Sequence, residues 1–324
     1  MKAALCKELI GPDGILVGEL PEPEPGPGEV VIEVAAAALN FFDTLVVRGK
    51  YQVKPELPFS PGAEVAGRVV RVGSGVADAA VGDRVNASVR FSGCRERTLA
   101  RTEDLVPIPD GVSDAAASGV RVTYGTAMHA LKDRAGLKPG ETVAVLGAAG
   151  GAGLAAVEIA KIMGARVIAV ASTAEKLALC KAHGADALLD YRGEDLREGL
   201  RTLTDGRGVD VVYDCVGGPH AEPAFRSTAW EGRYLVIGFA AGEIPRIPLN
   251  LPLLKGSSIV GVFWGAFAAR HPDRNRAHIE QVLAWIVEGR LAPHVGAVYP
   301  LSETADAIRA LDERRALGKV VVKP

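Results

Sequence analysis

Hydrophobic positions in the first 120 residues come in short runs. Val30–Val34 sets Glu33 among apolar residues, and Arg68–Val72 intersperses basic and apolar ones. Pro21, Pro23, Pro25 and Pro27 punctuate an early loop. Short strands at close spacing, broken by turn residues, predict a small barrel or sandwich. From Thr142 the pattern changes. Compact apolar runs at Thr142–Gly147, Arg166–Ala171, Ala187–Asp190, Val209–Val216, Arg233–Gly238 and Ser257–Phe263 read as buried strands, with helices predicted over Gly153–Met163 and Ala174–His183. Strands alternating with helices mean βαβ units and a parallel sheet, and six such strands fit a doubly wound Rossmann fold. Near the end, Ile279, Val282, Leu283 and Ile286 fall at helical spacing. Ser302 is positioned to cap a second helix running to Ala316, and Lys319–Val322 reads as a last strand. The fold class is α/β: a β-rich domain over 1–121, a Rossmann domain over 122–265, and a segment over 266–324 that returns to the first domain.

A length of 324 residues accommodates two such cores. The formal charge of −2 argues against nucleic acid or an anionic membrane surface as partner, since either calls for a basic surface. No window reaches the roughly 18–20 apolar residues of a membrane span. Lys7 and Glu8 interrupt any signal-peptide core, so a cytoplasmic location is expected. Cys6, Cys94, Cys180 and Cys215 show no paired spacing, and no disulfide framework is expected.

The candidate chemistry begins at Ala148-Ala149-Gly150-Gly151-Ala152-Gly153, between a predicted strand and a predicted helix. In that context Gly150 and Gly151 let the backbone approach a pyrophosphate, whose charge the helix N-terminus stabilises, while Gly153 permits close helix-to-strand packing. Ala148 stands where a first fingerprint glycine is expected. NAD sites usually place an acid at the end of the second strand to bind the ribose diol. Here that strand ends in Ala171-Ser172-Thr173, with Lys176 beyond it and Tyr191 after the third strand. A missing carboxylate, an ammonium and hydroxyls favour the 2′-phosphate of NADPH. Ser172 or Thr173 as a helix cap, and Lys176 as a solvated surface residue, remain alternative readings.

Asn40-Phe41-Phe42-Asp43, the segment 49–67, Val122-Thr123-Tyr124-Gly125-Thr126-Ala127, the segment 146–153, Val236-Ile237-Gly238-Phe239 and Gly318-Lys319-Val320-Val321 occur in one order along the chain. Together they resemble the medium-chain dehydrogenases/reductases, in particular quinone oxidoreductases of the zeta-crystallin type. The resemblance implies a GroES-like catalytic domain, a Rossmann domain, an inter-domain cleft and a homodimer. The last strand, Ser257–Trp264, is apolar, and the dimer is expected through this sheet edge.

The resemblance also implies site residues. Tyr51 and Asn40 are expected beside the substrate as catalytic residues. Thr126, Phe239 and Phe263 are expected at the nicotinamide. Lys319 joins Ala149, Gly150, Gly151, Ala152, Gly153, Ser172, Lys176 and Tyr191 in the cofactor set. Tyr51 could equally be a loop aromatic covering the core, and Asp43 is expected to orient its helix rather than transfer protons. Leu45 stands where many relatives carry a second tyrosine.

Zinc-dependent relatives carry a cysteine ligand where this chain has Asn40, and a histidine where Gly62-Ala63-Glu64 has Ala63. A catalytic zinc needs about three protein ligands, and no metal is expected here. Alcohol oxidation leans on a Lewis acid. Without one, hydride addition to a quinone or an α,β-unsaturated carbonyl is the easier reaction. An enoyl- or acryloyl-thioester reductase and a non-catalytic NADPH-binding protein are the alternatives.

Overall fold

The computed structural model describes residues 1–324, which divide into two compact units: Met1–Val122 with Pro272–Pro324, and Thr123–His271. No helix is long and apolar enough to cross a membrane.

The first unit is built on strands. In chain order these are β1 (Lys2–Cys6), β2 (Ile15–Glu19), β3 (Glu29–Leu39), β4 (Glu64–Val72), β5 (Arg84–Ser88), β6 (Arg97–Arg101) and β7 (Leu105–Pro107). β1 and β2 form a separate antiparallel pair. The returning segment adds β14 (Val295–Pro300) and β15 (Lys319–Lys323), giving the order β14-β15-β3-β4-β5-β7 with β6 also paired to β3. β3 is the organising strand. Val30–Ile32 and Ala36–Leu39 are buried in succession, and only Glu33 and Ala35, on either side of buried Val34, stand exposed. Val30, Ile32, Val34 and Leu39 pack with Val65, Val69, Val85, Val320 and Val322 into one core.

The second unit contains β8 (Thr142–Leu146), β9 (Arg166–Ala171), β10 (Ala187–Asp190), β11 (Val209–Asp214), β12 (Thr228–Val236) and β13 (Ser258–Gly261). All pairs are parallel and the order is β10-β9-β8-β11-β12-β13. This is the doubly wound arrangement, whose strand order reverses beside the first strand. Val143, Val145, Val167, Val211 and Val212 have no exposed surface, as strands covered on both faces require.

Three expectations need correction. The last Rossmann strand ends at Gly261 rather than running to Trp264, which instead opens a helix, Trp264–Arg270. That helix stays with the second unit because Phe267 stacks on His129 with ring centroids 3.9 Å apart. Ser302 lies in a 3-10 turn, Leu301–Glu303, and the helix that follows, Thr304–Asp312, stops short of Ala316. Arg314 takes the left-handed conformation (φ 57°), while the amides of Arg315 and Ala316 both donate back to Ala310, closing the helix end.

Candidate active site

The glycine loop follows β8 and opens the helix Gly151–Ile162. Gly147 turns the chain with φ +69°, and its amide and that of Ala148 donate to the carbonyl of Val170 on β9. A Cβ at Gly153 would lie 2.2 Å from the Gly147 oxygen and 2.7 Å from the Ala148 Cα, so glycine there is a packing requirement. Gly150 is different. Its backbone is extended, and a Cβ would meet only the Gly147 oxygen, at 3.5 Å. Nothing in the fold demands glycine at 150, and the helix start receives no side-chain cap. The Gly150 amide itself donates to Gly147 O (3.1 Å), and the uncapped amides of the helix start beyond it suit an anion. The actual spacing is Gly147, Gly150, Gly153. Gly147 was legible as the first member of that three-residue repeat, whereas Ala148 is a buried neighbour.

The other expected cofactor residues of this unit gather by topology. In a parallel sheet every strand ends on the same edge. Ala149–Gly153 follow β8, Ser172 and Lys176 follow β9, Tyr191 follows β10, Phe239 follows β12 and Phe263 follows β13. That edge is where open α/β sheets bind ligands. Thr173 caps the helix Ala174–Ala182 by accepting from the Lys176 amide, while Ser172 is buried. Lys176 and Tyr191 are half-buried, and Tyr191 packs against His220 with centroids 4.5 Å apart. Phe239 borders a cavity of about 230 Å³ with Asp214, Tyr234 and Ile259. Phe263 is exposed, and Thr126 is buried in the helix Val120–Met128.

Asn40 and Lys319 come together in the first unit, with Glu64 as a third member that the sequence did not single out as a partner. Lys319 Nζ donates to Leu39 O (3.0 Å), Asn40 Oδ1 (2.7 Å) and Glu64 Oε1 (3.0 Å). Asn40 Nδ2 donates to the same Glu64 Oε1 (2.9 Å), and the Val122 amide donates to Oε2 (2.9 Å). Lys319 is 4% exposed and Glu64 0%. Both heteroatoms of the Asn40 amide and the donors seen on Lys319 are directed at protein groups. The geometry thus ties both residues to Glu64. Asp43 accepts from the Asn40 backbone N–H (2.8 Å) and from Gly62 N (3.0 Å), orienting the helix Phe41–Val46 as expected. Burial pushes its carboxyl up to about 6, against the pull of those two N–H groups and Lys319.

Tyr51 is half-buried, its ring stacked on Phe42 with centroids 5.5 Å apart. Its phenol is held above its ordinary range, first by desolvation and then by the Asp43 carboxylate, so it stays a neutral O–H donor. Phe42 in turn meets Phe91 edge-on at 6.0 Å, and Phe91 meets Phe59 at 6.3 Å. Arg90 and Phe91 both adopt positive φ, 42° and 65°. Left-handed backbone at a non-glycine residue costs roughly 1–2 kcal/mol and persists only where the surroundings impose it.

Comparison with known proteins agrees with this architecture. Residues 26–131 match the alcohol dehydrogenase GroES-like domain, and residues 151–288 match the family described as zinc-binding dehydrogenase. The chain is 41% identical to quinone oxidoreductase-like protein 2 of Bos taurus over 323 residues, covering 99% of this chain and 92% of that protein. Among solved structures, a mycobacterial protein complexed with NADPH superposes with a TM-score of 0.93 at 33% identity, covering 100% of both chains. Quinone oxidoreductase of Escherichia coli complexed with NADPH gives 0.93 at 26% identity, again over 100% of both chains. With the GroES-like sheet, the six-stranded Rossmann sheet and these likenesses in hand, the chain belongs to the medium-chain dehydrogenase/reductase family, in its zeta-crystallin-type quinone oxidoreductase branch.

Proposed function

We propose that this protein is an NADPH-dependent reductase of quinones or α,β-unsaturated carbonyl compounds that works without zinc. The observation that carries the reading is the unobstructed, uncapped helix start at Gly150, beside a second strand that ends without an acid. The pyrophosphate fits the loop Ala149–Gly153, with Gly150 leaving room for its approach and the helix-start amides as donors, and the 2′-phosphate fits Lys176 with Tyr191 and Ser172 along the same edge. Thr126, Phe239 and Phe263 are the groups proposed for the nicotinamide. NADPH is the cofactor. Lys176→Ala is expected to weaken NADPH roughly 10–100-fold while NADH barely responds, because a charged hydrogen bond contributes about 1.5–3 kcal/mol. Equal weakening of both, measured by fluorescence titration, would remove Lys176 from the phosphate site.

Zinc independence is supported by the donor set rather than by the name of the matched family. Ala63 offers no ligand atom, Asn40 offers an amide in place of a thiolate, and the Glu64 carboxylate already holds the Lys319 ammonium. A cation held there meets the charge of Glu64 that a metal would otherwise meet.

Bound NADPH supplies a hydride, two electrons with one proton, to the electron-poor acceptor; solvent supplies the second proton that completes the hydroquinone or saturated carbonyl. Tyr51 is proposed to donate a hydrogen bond to the acceptor oxygen as negative charge develops there, which helps the transition state more than the ground state. Asn40, Glu64 and Lys319 position the start of the Phe41–Val46 helix, whose Phe42 fixes the plane of the Tyr51 ring. Tyr51→Phe keeps that stack and removes the hydroxyl. The turnover number is expected to fall roughly 10–100-fold, about 1.4–2.7 kcal/mol, with NADPH affinity unchanged. An unchanged turnover number would reduce Tyr51 to a wall.

A second copy of the chain is proposed to cover the edge strand β13. Leu249, Leu253, Leu254, Ile259 and Phe263 stand exposed on that unit, two of them about four-fifths (80% and 79%). An uncovered apolar edge of this kind invites pairing. Light scattering is expected to report twice the 33.8 kDa chain mass, and a monomer at micromolar concentration would exclude the dimer.

A further inference from the structure

One carboxylate is buried in the second unit where apolar packing alone would serve. Glu158 stands on the helix Gly151–Ile162 among Leu154, Ala155, Ala156, Val157, Ile159 and Ala160, and is itself only 7% exposed. Its two oxygens take different partners. The Tyr124 hydroxyl donates to Oε2, and His183 Nδ1 lies 2.9 Å from Oε1. Burial first, and the Glu158 charge after it, hold the Tyr124 phenol well above its ordinary range, so the hydroxyl stays a donor. A leucine at 158 would fill the same space without the cost of desolvating a charge.

The three residues belong to three helices, and each helix carries one part of the proposed cofactor site. Tyr124 lies on the helix Val120–Met128, two positions before Thr126. Two positions are about 200° of helical rotation, so an anchor at Tyr124 fixes the opposite side, where Thr126 stands. Glu158 lies on the helix that the glycine loop opens. His183 ends the helix Ala174–Ala182, about two turns after Lys176 and on the same face. The helices proposed for the nicotinamide, the pyrophosphate and the 2′-phosphate therefore meet at one carboxylate.

We propose that Glu158 is a positioning residue for NADPH, one oxygen setting the helix of Thr126 and the other the helix of Lys176 against the phosphate loop. The inference rests on the reductase reading above. Directed hydrogen bonds in a satisfied buried network fix the spacing and rotation of helices, which apolar contacts leave freer to slide. A displacement of about 1 Å at the hydride donor is enough to cost turnover, whereas affinity is spread over the whole dinucleotide.

Variants of one arm at a time separate the two sides, and both keep Glu158 in place. Tyr124→Phe removes the hydroxyl alone. Its turnover number with NADPH and phenanthrenequinone is expected to fall roughly 5–20-fold, with the Kd for NADPH within about twofold of wild type and the fluorescence of the bound nicotinamide reduced. His183→Ala frees the other arm. Its Kd for NADPH is expected to rise roughly tenfold and that for NADH less than about twofold, with the nicotinamide fluorescence retained. Glu158→Leu is expected to combine both effects. Glu158→Gln, whose amide accepts from the phenol and donates to the imidazole, is expected to return to within about threefold of wild type. A purely structural role predicts that affinity and turnover move together as the melting temperature falls. Parallel changes in Tyr124→Phe and His183→Ala, or none in either, would overturn the tie. Titrations with NADPH and NADH need no turnover and so separate the two claims. If the affinities and the nicotinamide fluorescence divide as expected but no acceptor is reduced, the tie stands and the reductase reading falls. If wild type reduces phenanthrenequinone and both single-arm variants match it, the tie falls and the reductase reading stands.

Discussion

Replacing Lys319 with methionine is expected to cost the first unit about 3–5 kcal/mol of stability, the usual penalty for removing one partner of a buried ion pair. Glu64 has no exposed surface, and Lys319 is its ionic partner at 3.0 Å. Without the ammonium, the carboxylate keeps only the Asn40 amide and the Val122 N–H. The Asn40 Oδ1 and Leu39 carbonyl lose their donor at the same time. The double variant Lys319→Met with Glu64→Gln removes both charges and is expected to recover a substantial part of the loss, because an uncharged pair no longer carries an uncompensated buried charge. Scanning calorimetry checks this. A single-variant loss below about 1 kcal/mol would show that water or movement relieves the cluster.

The second large effect separates two glycines three residues apart. Gly153→Ala places a methyl 2.2 Å from the Gly147 oxygen, so loop and helix must move apart. Overpacking of this kind costs about 1–3 kcal/mol, and a displaced loop loses its cofactor geometry, so NADPH affinity is expected to fall roughly 100-fold or more. Gly150→Ala meets no such obstacle, since its nearest contact is 3.5 Å. Its melting temperature is expected to hold or to rise slightly, because alanine restricts the unfolded chain. NADPH affinity is nevertheless expected to drop about 10–100-fold as the methyl stands where the pyrophosphate must approach. Should Gly150→Ala bind NADPH like wild type, the loop would be a turn and not a phosphate cradle.

Much of the second unit was legible because its physics is local. β9 and β10 occupy the expected residues, since continuous apolar runs bounded by turn residues leave little freedom. Thr173 was a foreseeable cap for the helix that follows it. What stayed hidden depends on meetings between distant residues. Asn40 and Glu64 are 24 residues apart and Lys319 is 255 residues beyond Glu64, and no spacing announces that they share one buried site. Family position brought Asn40 and Lys319 forward, and their shared hydrogen bonds to Glu64 exist only in the folded chain. Gly147 sets the turn through its positive φ, a property of the folded loop that the denser glycine cluster after it masks in the sequence. Phe91 gave no signal at all, because backbone strain is a property of the folded loop.

The central claim is that NADPH reduces a conjugated acceptor here without a metal. The most direct measurement is the NADPH-dependent reduction rate of phenanthrenequinone by protein dialysed against EDTA, with metal content determined by elemental analysis on the same sample. The account predicts an unchanged rate with less than about a tenth of a metal ion per chain, far short of the occupied site that a metal-dependent dehydrogenase requires. Near-stoichiometric zinc that leaves with EDTA and takes the activity with it would contradict the account.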